Sequence, residues 1–288
     1  MIPQASLSGT PNIQRQLALL TLLGDDDPSV SQQIRAQLIA GGQTTLEWLE
    51  THRYHDDPQV RRRLWEIFDH FAAAQADSEF LTFTLAHGEH FDLEQAIWLF
   101  VRTRYPDAPL AGYRAQLDEW ASSMRTVVAA TASAEIRLQC VNRELYGRLG
   151  FKGNANSYYD PQNSYLNRVM DRRRGIPISM CLLYMFICRR LNLPVTGVGM
   201  PGHFLCRYQT PREEFYVDAF HEGRLLTKLD CVKRLREFGG DFDDSALLPI
   251  SARRTLQRVV ANLHLIHKEA HDRAEMDRLQ RYRIALAR

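Results

Sequence analysis

The stretch GFKGNANSYYDPQNSYLNRVMDRRRGIPISMCLLYMFICRRLNLPVTGVGMPGHFLCRYQTPREEFYVDAFHEGRLL, residues 150–226, decides the fold. It reads as a polar loop, an apolar helix bearing Cys181, a strand opening at His203 and a second strand ending at Asp218. A thiol on a helix with an imidazole and a carboxylate on neighbouring strands is the layout of a nucleophilic thiol site. The imidazole takes the thiol proton and the carboxylate orients the ring. Cys181, His203 and Asp218 are therefore the candidate catalytic residues, with His203 and Asp218 expected within hydrogen-bond reach.

Residues 177–191 predict a buried helix opening on Pro177, and short strands are expected at 195–199, 203–208 and 214–217, with Pro211 in the last turn. Residues 151–165, rich in Asn, Gly, Ser, Tyr and Pro, read as a loop. Asn154, Tyr159 and Asn163 in that loop, with Ser179 near the helix start, are candidate substrate contacts. Amide donors beside His203 could stabilise an oxyanion or hold a peptide backbone. The same residue types also serve a long ordered loop as turn and packing residues. Ser179 is equally a helix cap or a substitute nucleophile. Inside Met180-Cys181-Leu182-Leu183, Cys181 is equally a small core residue, and Cys188, two turns on, reads as core.

Outward from this centre the chain reads as helical. Asp26-Asp27-Pro28-Ser29-Val30 recurs as Asp56-Asp57-Pro58-Gln59-Val60, each an Asp cap before a Pro at the first helical position. Val30, Ile34 and Leu38 follow the first, and Val60, Leu64, Ile67 and Phe68 the second, at helical spacing. This predicts a HEAT-like pair or an ordinary bundle. Helices are also expected from Asp92 to the Tyr105-Pro106 break, over 110–128 and over 134–149 with Gly150 as C-cap. A terminal hairpin spans 255–270 and 272–286, with Leu256, Val259 and Leu263 inward and Arg273, Glu275, Asp277 and Arg278 on the exposed surface. The organisation is a helical region at 1–130, a mixed core at 131–250 and a helical hairpin at 251–288, an α+β chain, mostly helical with a small antiparallel sheet.

At 288 residues the chain can bury a sizeable core. A net charge of +2 gives no case for a general nucleic-acid binder, although Arg172-Arg173-Arg174 leaves a nucleic-acid-linked regulator as a third reading. No apolar run is long enough to span a bilayer, and the N-terminus lacks the basic and apolar regions of a signal peptide. Five cysteines with no Cys-x-x-Cys pair point away from a disulfide or zinc framework and towards a reducing cytoplasm. His264, His267 and His271, and the pair His87 and His90, lack a completing ligand, so no metal and no cofactor is expected.

Several strings together carry a family resemblance: Gly150-Phe151-Lys152-Gly153-Asn154, Tyr159-Asp160-Pro161-Gln162-Asn163-Ser164-Tyr165-Leu166-Asn167, Arg173-Arg174-Gly175-Ile176-Pro177-Ile178, Pro201-Gly202-His203-Phe204-Leu205 and Gly223-Arg224-Leu225-Leu226-Thr227. The chain resembles the bacterial SirB-type family over nearly its whole length. The resemblance implies a transglutaminase-like (papain-like) core flanked by helical repeats, with tetratricopeptide-like helices at the C-terminus. It also implies that a superfamily nucleophile would fall at the helix start near Pro177, where this chain has no Cys. Ala219 and His221 stand where the family more often shows Pro and Asn.

Two functions lead. One is a cytoplasmic protein- or peptide-binding regulator whose Cys-His-Asp site is degenerate. The other is a thiol-dependent acyl transferase or amide hydrolase acting on a peptide or protein through Cys181, His203 and Asp218.

Overall fold

The computed structural model describes residues 10–237 and 244–288. Residues 1–9, the start of the segment read above as no signal peptide, lie outside the described residues. The chain divides into two compact units, one ending at Ser78 and taking in Thr103–Pro106, the other formed by Glu79–Arg102 and Asp107–Arg288.

The first unit holds helices α1 (Thr10–Leu23), α2 (Pro28–Ala40), α3 (Gly42–Glu50) and the opening of α4 (Pro58–Ala86). The two Asp-Pro signatures behave as helix starts. Asp27 Oδ1 accepts from the Ser29 N–H at 2.8 Å, and Asp57 Oδ1 accepts from the Gln59 N–H at 2.7 Å. Ile34, Leu38, Val60, Leu64, Ile67 and Phe68 bury together with Leu20, Leu23 and Leu49. The two capped helices differ in length, 13 and 29 residues, so the likeness is confined to their first turns.

The second unit continues through α5 (Leu93–Arg102), α6 (Leu110–Ala130) and α7 (Ala134–Asn142). The helix expected over 134–149 widens into a π-helical segment at Arg143–Arg148, burying Leu145 and Tyr146. After it, β1 (Lys152–Gly153) pairs in parallel with β2 (Arg174–Gly175), and between them lie a 3₁₀ turn (Pro161–Ser164) and α8 (Leu166–Arg172). Helix α9 (Pro177–Arg190) is the axis of the core, and every residue from Pro177 to Cys188 is buried. An α-helix apolar on all faces has to be surrounded, and here α6, α8 and the sheet surround it. The buried Glu94 of α5 takes Arg189 at 2.5 Å and Arg190 at 2.7 Å, fixing two cations at the α9 C-terminus, where the helix dipole favours positive charge.

Strands β3 (Val195–Val198), β4 (Leu205–Gln209), β5 (Glu214–Asp218) and β6 (Arg224–Leu226) form an antiparallel sheet in that order. The register sets Cys206 opposite Val217 and Asp218 opposite Arg224. The α+β expectation therefore holds, with β1, β2, β6 and α8 additional to it. His203 is not a strand residue: β4 begins at Leu205, and His203 sits on the preceding turn, where Gly202 has φ +63°. Helix α10 (Lys228–Glu237) and a 3₁₀ turn (Asp244–Leu247) follow the sheet.

The chain ends in α11 (Ala252–Glu269) and α12 (Arg273–Leu286), with Leu256, Val259 and Leu263 buried. The exposed charged surface expected on α12 is only partly present. Arg278 turns inward to bond the Tyr165 hydroxyl at 3.2 Å and Glu275 at 2.5 Å, because the buried rings of Tyr165 and Tyr282 need a polar partner there. Among the described residues no helix is long and apolar enough to cross a membrane.

Candidate functional site

Asp218 closes β5 and caps the 3₁₀ turn Ala219–His221, its side chain accepting from the His221 N–H. That turn needs the glycine that follows it. Gly223 has φ +75°, and a Cβ there would lie 2.2 Å from Asn142 Oδ1. Asn142 in turn donates to the Gly223 carbonyl at 2.7 Å. Phe220, at the middle of the turn, packs so closely on Gly153 that a Cβ there would meet the Phe220 carbonyl at 2.5 Å.

The carboxylate of Asp218 is fully buried and completely engaged. Oδ1 lies 3.0 Å from His203 Nε2, while Oδ2 lies 2.9 Å from His221 Nδ1 and 2.7 Å from Arg234 Nη1 of α10. Burial opposes its ionisation, but the hydrogen bonds and charges of His203, Arg234 and His221 outweigh it, so its pKa lies well below the usual carboxylate range. An ionised carboxylate only accepts, so His203 donates through Nε2–H and His221 through Nδ1–H. His203 is mostly buried and His221 more than half exposed. The turn carrying His203 is tied down by Arg258 of α11, whose Nη2 donates to the Met200 carbonyl at 2.9 Å and to the His203 carbonyl at 3.1 Å.

The third sequence candidate stands apart. Cys181 is 0 % exposed, its Sγ donates to the Phe204 carbonyl at 3.4 Å, and its own carbonyl accepts from Cys206 Sγ at 3.6 Å. No hydrogen bond among the described residues joins its thiol to His203. The neighbouring thiols share this environment: burial pushes the Cys188 and Cys206 thiols well above their ordinary pKa. All five cysteines are buried and free.

Ser179, weighed above as a cap or substitute nucleophile, is buried at the third position of α9. Its hydroxyl accepts from the Ile176 N–H at 3.0 Å and donates to the Asn163 carbonyl at 2.6 Å. The loop residues divide. Asn163 is buried and donates to the Ser157 carbonyl at 2.7 Å and to the Tyr158 carbonyl at 3.2 Å, and Asn154 donates to Asn163 Oδ1 at 3.0 Å. These amides hold the loop in shape. Tyr159 is exposed and packs edge-on against Tyr158, whose ring reaches Phe220 and through it His203. His221, Arg234 and Arg258 received no role from the sequence. His221 carried a signal, three residues after the candidate carboxylate, but Arg234 and Arg258 arrive from later helices with no local motif.

His203, Asp218 and His221 also form a compact donor set, one ligand atom from each lying within 4.8 Å of the others. Neither His264, His267 and His271 nor the pair His87 and His90 has a completing ligand in the sequence, whereas this set forms only when the β4 approach and the 3₁₀ turn meet.

Comparison with known proteins follows the same region. The Transglutaminase-like superfamily profile matches residues 111–261, which span α6 to the middle of α11 and include every residue of the site. A UPF0162 protein of Xylella fastidiosa is 36% identical over 194 residues, 65% of this chain and 69% of that protein. A UPF0162 protein of Pseudomonas aeruginosa is 31% identical over 180 residues, 62% of this chain and 65% of that protein. F-box only protein 21 of Homo sapiens is 39% identical over 135 residues, 44% of this chain but 21% of that much longer protein. No solved structure matches the chain at a significant level. With the matched core covering more than half its length, the chain belongs to the transglutaminase-like superfamily.

Proposed function

We propose that this protein is a cytoplasmic peptide- or protein-binding regulator of the SirB type, built on a transglutaminase-like core whose thiol chemistry has been lost. The observation that carries this reading is the position of Cys181. Its thiol is buried and bonded to a backbone carbonyl, and no hydrogen bond among the described residues joins it to the His203–Asp218 pair. Ser179 offers no substitute, since its hydroxyl already bonds two backbone groups.

A seat for an extended peptide supports the binding half of the reading. Strand β3 is an edge strand, met on its outer side at the Val198–Pro249 bridge and by the Ile250 N–H on the Gly197 carbonyl at 3.0 Å. Beside the remaining edge lies a mostly apolar cleft of about 420 Å³, lined by Met185, Phe186, Val195, Thr196, Gln209 and Ile250 among others. An edge strand next to an apolar cleft suits strand addition, in which backbone bonds give affinity and the cleft takes alternate side chains.

The test pairs binding with turnover. Panning the full chain against a displayed library of extended peptides is expected to enrich binders that Cys181→Ala retains and Ile250→Arg loses. The full chain should neither cleave peptide amides nor transfer their acyl groups to an amine. Absence of any enriched binder, or turnover abolished by Cys181→Ala, contradicts the proposal.

A further inference from the structure

We propose that His203, Asp218 and His221 bind a divalent transition-metal ion of the zinc class. The three donors are an imidazole Nε2, an imidazole Nδ1 and a carboxylate, and their ligand atoms already lie within 4.8 Å of one another. Around a tetrahedral ion with bond lengths of about 2.0–2.1 Å, neighbouring donors stand about 3.3 Å apart. The nitrogen–oxygen separations, 3.0 Å from His203 to Oδ1 and 2.9 Å from His221 to Oδ2, run to the two different carboxylate oxygens, so Asp218 meets the ion with both oxygens or turns to present one. His221, more than half exposed, has room to make the remaining adjustment.

The surroundings suit a ligand set. Asp218 and His221 are fixed relative to each other by the 3₁₀ turn that Asp218 caps, and the His203 carbonyl is pinned by Arg258. Arg234, 2.7 Å from Asp218 Oδ2, can remain as an outer hydrogen-bond partner, since ligating carboxylates are ordinarily held by such a group. Coordination exchanges the two N–H···O bonds for metal bonds. Each neutral imidazole keeps its proton and moves it to the other ring nitrogen, Nδ1 of His203 and Nε2 of His221. An imidazolium at either position must first release one proton to solvent. Two imidazoles and one carboxylate favour zinc, cobalt, nickel or iron over magnesium or calcium. Three protein ligands leave a fourth position for water, the arrangement of reactive rather than structural zinc sites. This inference is independent of the peptide reading, because the metal site and the β3 cleft share no residue.

The full chain, stripped with EDTA and exchanged into chelator-free buffer above the ordinary imidazole pKa, is titrated with Zn²⁺ against a chromogenic chelator. One equivalent is expected to bind. His221→Ala and His203→Ala should each weaken binding by more than the about tenfold to a hundredfold that loss of an outer hydrogen-bond partner costs. The double substitution His264→Ala/His267→Ala on α11, away from the donor set, should leave binding unchanged, and Co²⁺ should give a visible ligand-field band lost in His221→Ala. Because His221 is more than half exposed, His221→Ala is expected to keep the wild-type circular dichroism spectrum, with a melting temperature lowered only by the loss of its one hydrogen bond to Asp218. No stoichiometric zinc, equal affinity in His221→Ala, or binding abolished by the α11 double substitution each overturns the proposal.

Discussion

The thiol of Cys181 donates to the backbone carbonyl of Phe204 at 3.4 Å, and Phe204 is the residue that follows His203. The thiol is thus engaged by the main chain next to His203, and no hydrogen bond among the described residues joins it to the His203 ring. The thiol serves the seam between α9 and β4, and Cys206 answers it by donating to the Cys181 carbonyl. The His203–Asp218 pair is held in a network with His221 and Arg234.

Asp218→Asn should destabilise the protein by about 3–5 kcal/mol, because it leaves the half-buried Arg234 without its carboxylate and one amide cannot accept from all three donors. The sign with pH follows from the lowered pKa. A carboxyl group whose folded-state pKa lies below its unfolded value contributes in full above the unfolded value, about 4, and the contribution is lost as pH falls towards the folded value. The difference in melting temperature between wild type and Asp218→Asn should therefore narrow only as the pH drops below about 4. A difference that instead grows on acidification would contradict the ionised assignment.

Ser179→Ala should cost about 1–2 kcal/mol, the value of a helix cap and a buried hydrogen bond lost together. Urea unfolding monitored by circular dichroism reads this directly. An unchanged midpoint would mean that the hydroxyl does not join the start of α9 to the loop at Asn163.

Arg253→Met tests how the end of the chain is attached. The buried Arg253 guanidinium donates to the Thr84 and His87 carbonyls around the end of α4, and to the Ala285 and Leu286 carbonyls at the end of α12. A cation there satisfies carbonyls that have no partner within their own helix and complements both helix dipoles. Losing it should cost about 2–3 kcal/mol and speed amide exchange in the last turn of α12. Exchange that accelerates elsewhere but not there would contradict this role.

The legible parts of the sequence were those with a strong period or a local chemical signature. Asp27 and Asp57 announced their helices by the Pro that follows, and the apolar run from Pro177 announced α9. His203 and Asp218 could be paired because short strands joined by a tight turn have few registers. The illegible parts were short or assembled from a distance. The π segment at Arg143–Arg148 has the composition of an α-helix, and β6 and α8 are too short to express a period. Arg234 reaches Asp218 from 16 residues away, so no spacing rule could have named it. Cys181 was ambiguous because residue order places a thiol on an element without giving the direction of its side chain.

That direction is what the most direct measurement reads. The native chain is exposed to iodoacetamide at neutral pH, and labelling of each cysteine is followed by peptide mass spectrometry in wild type and in His203→Ala. The account predicts that Cys181 labels as slowly as the buried Cys188, at a rate set by unfolding and unchanged by His203→Ala. Rapid, stoichiometric labelling of Cys181 that disappears in His203→Ala would show an activated thiolate and contradict the account.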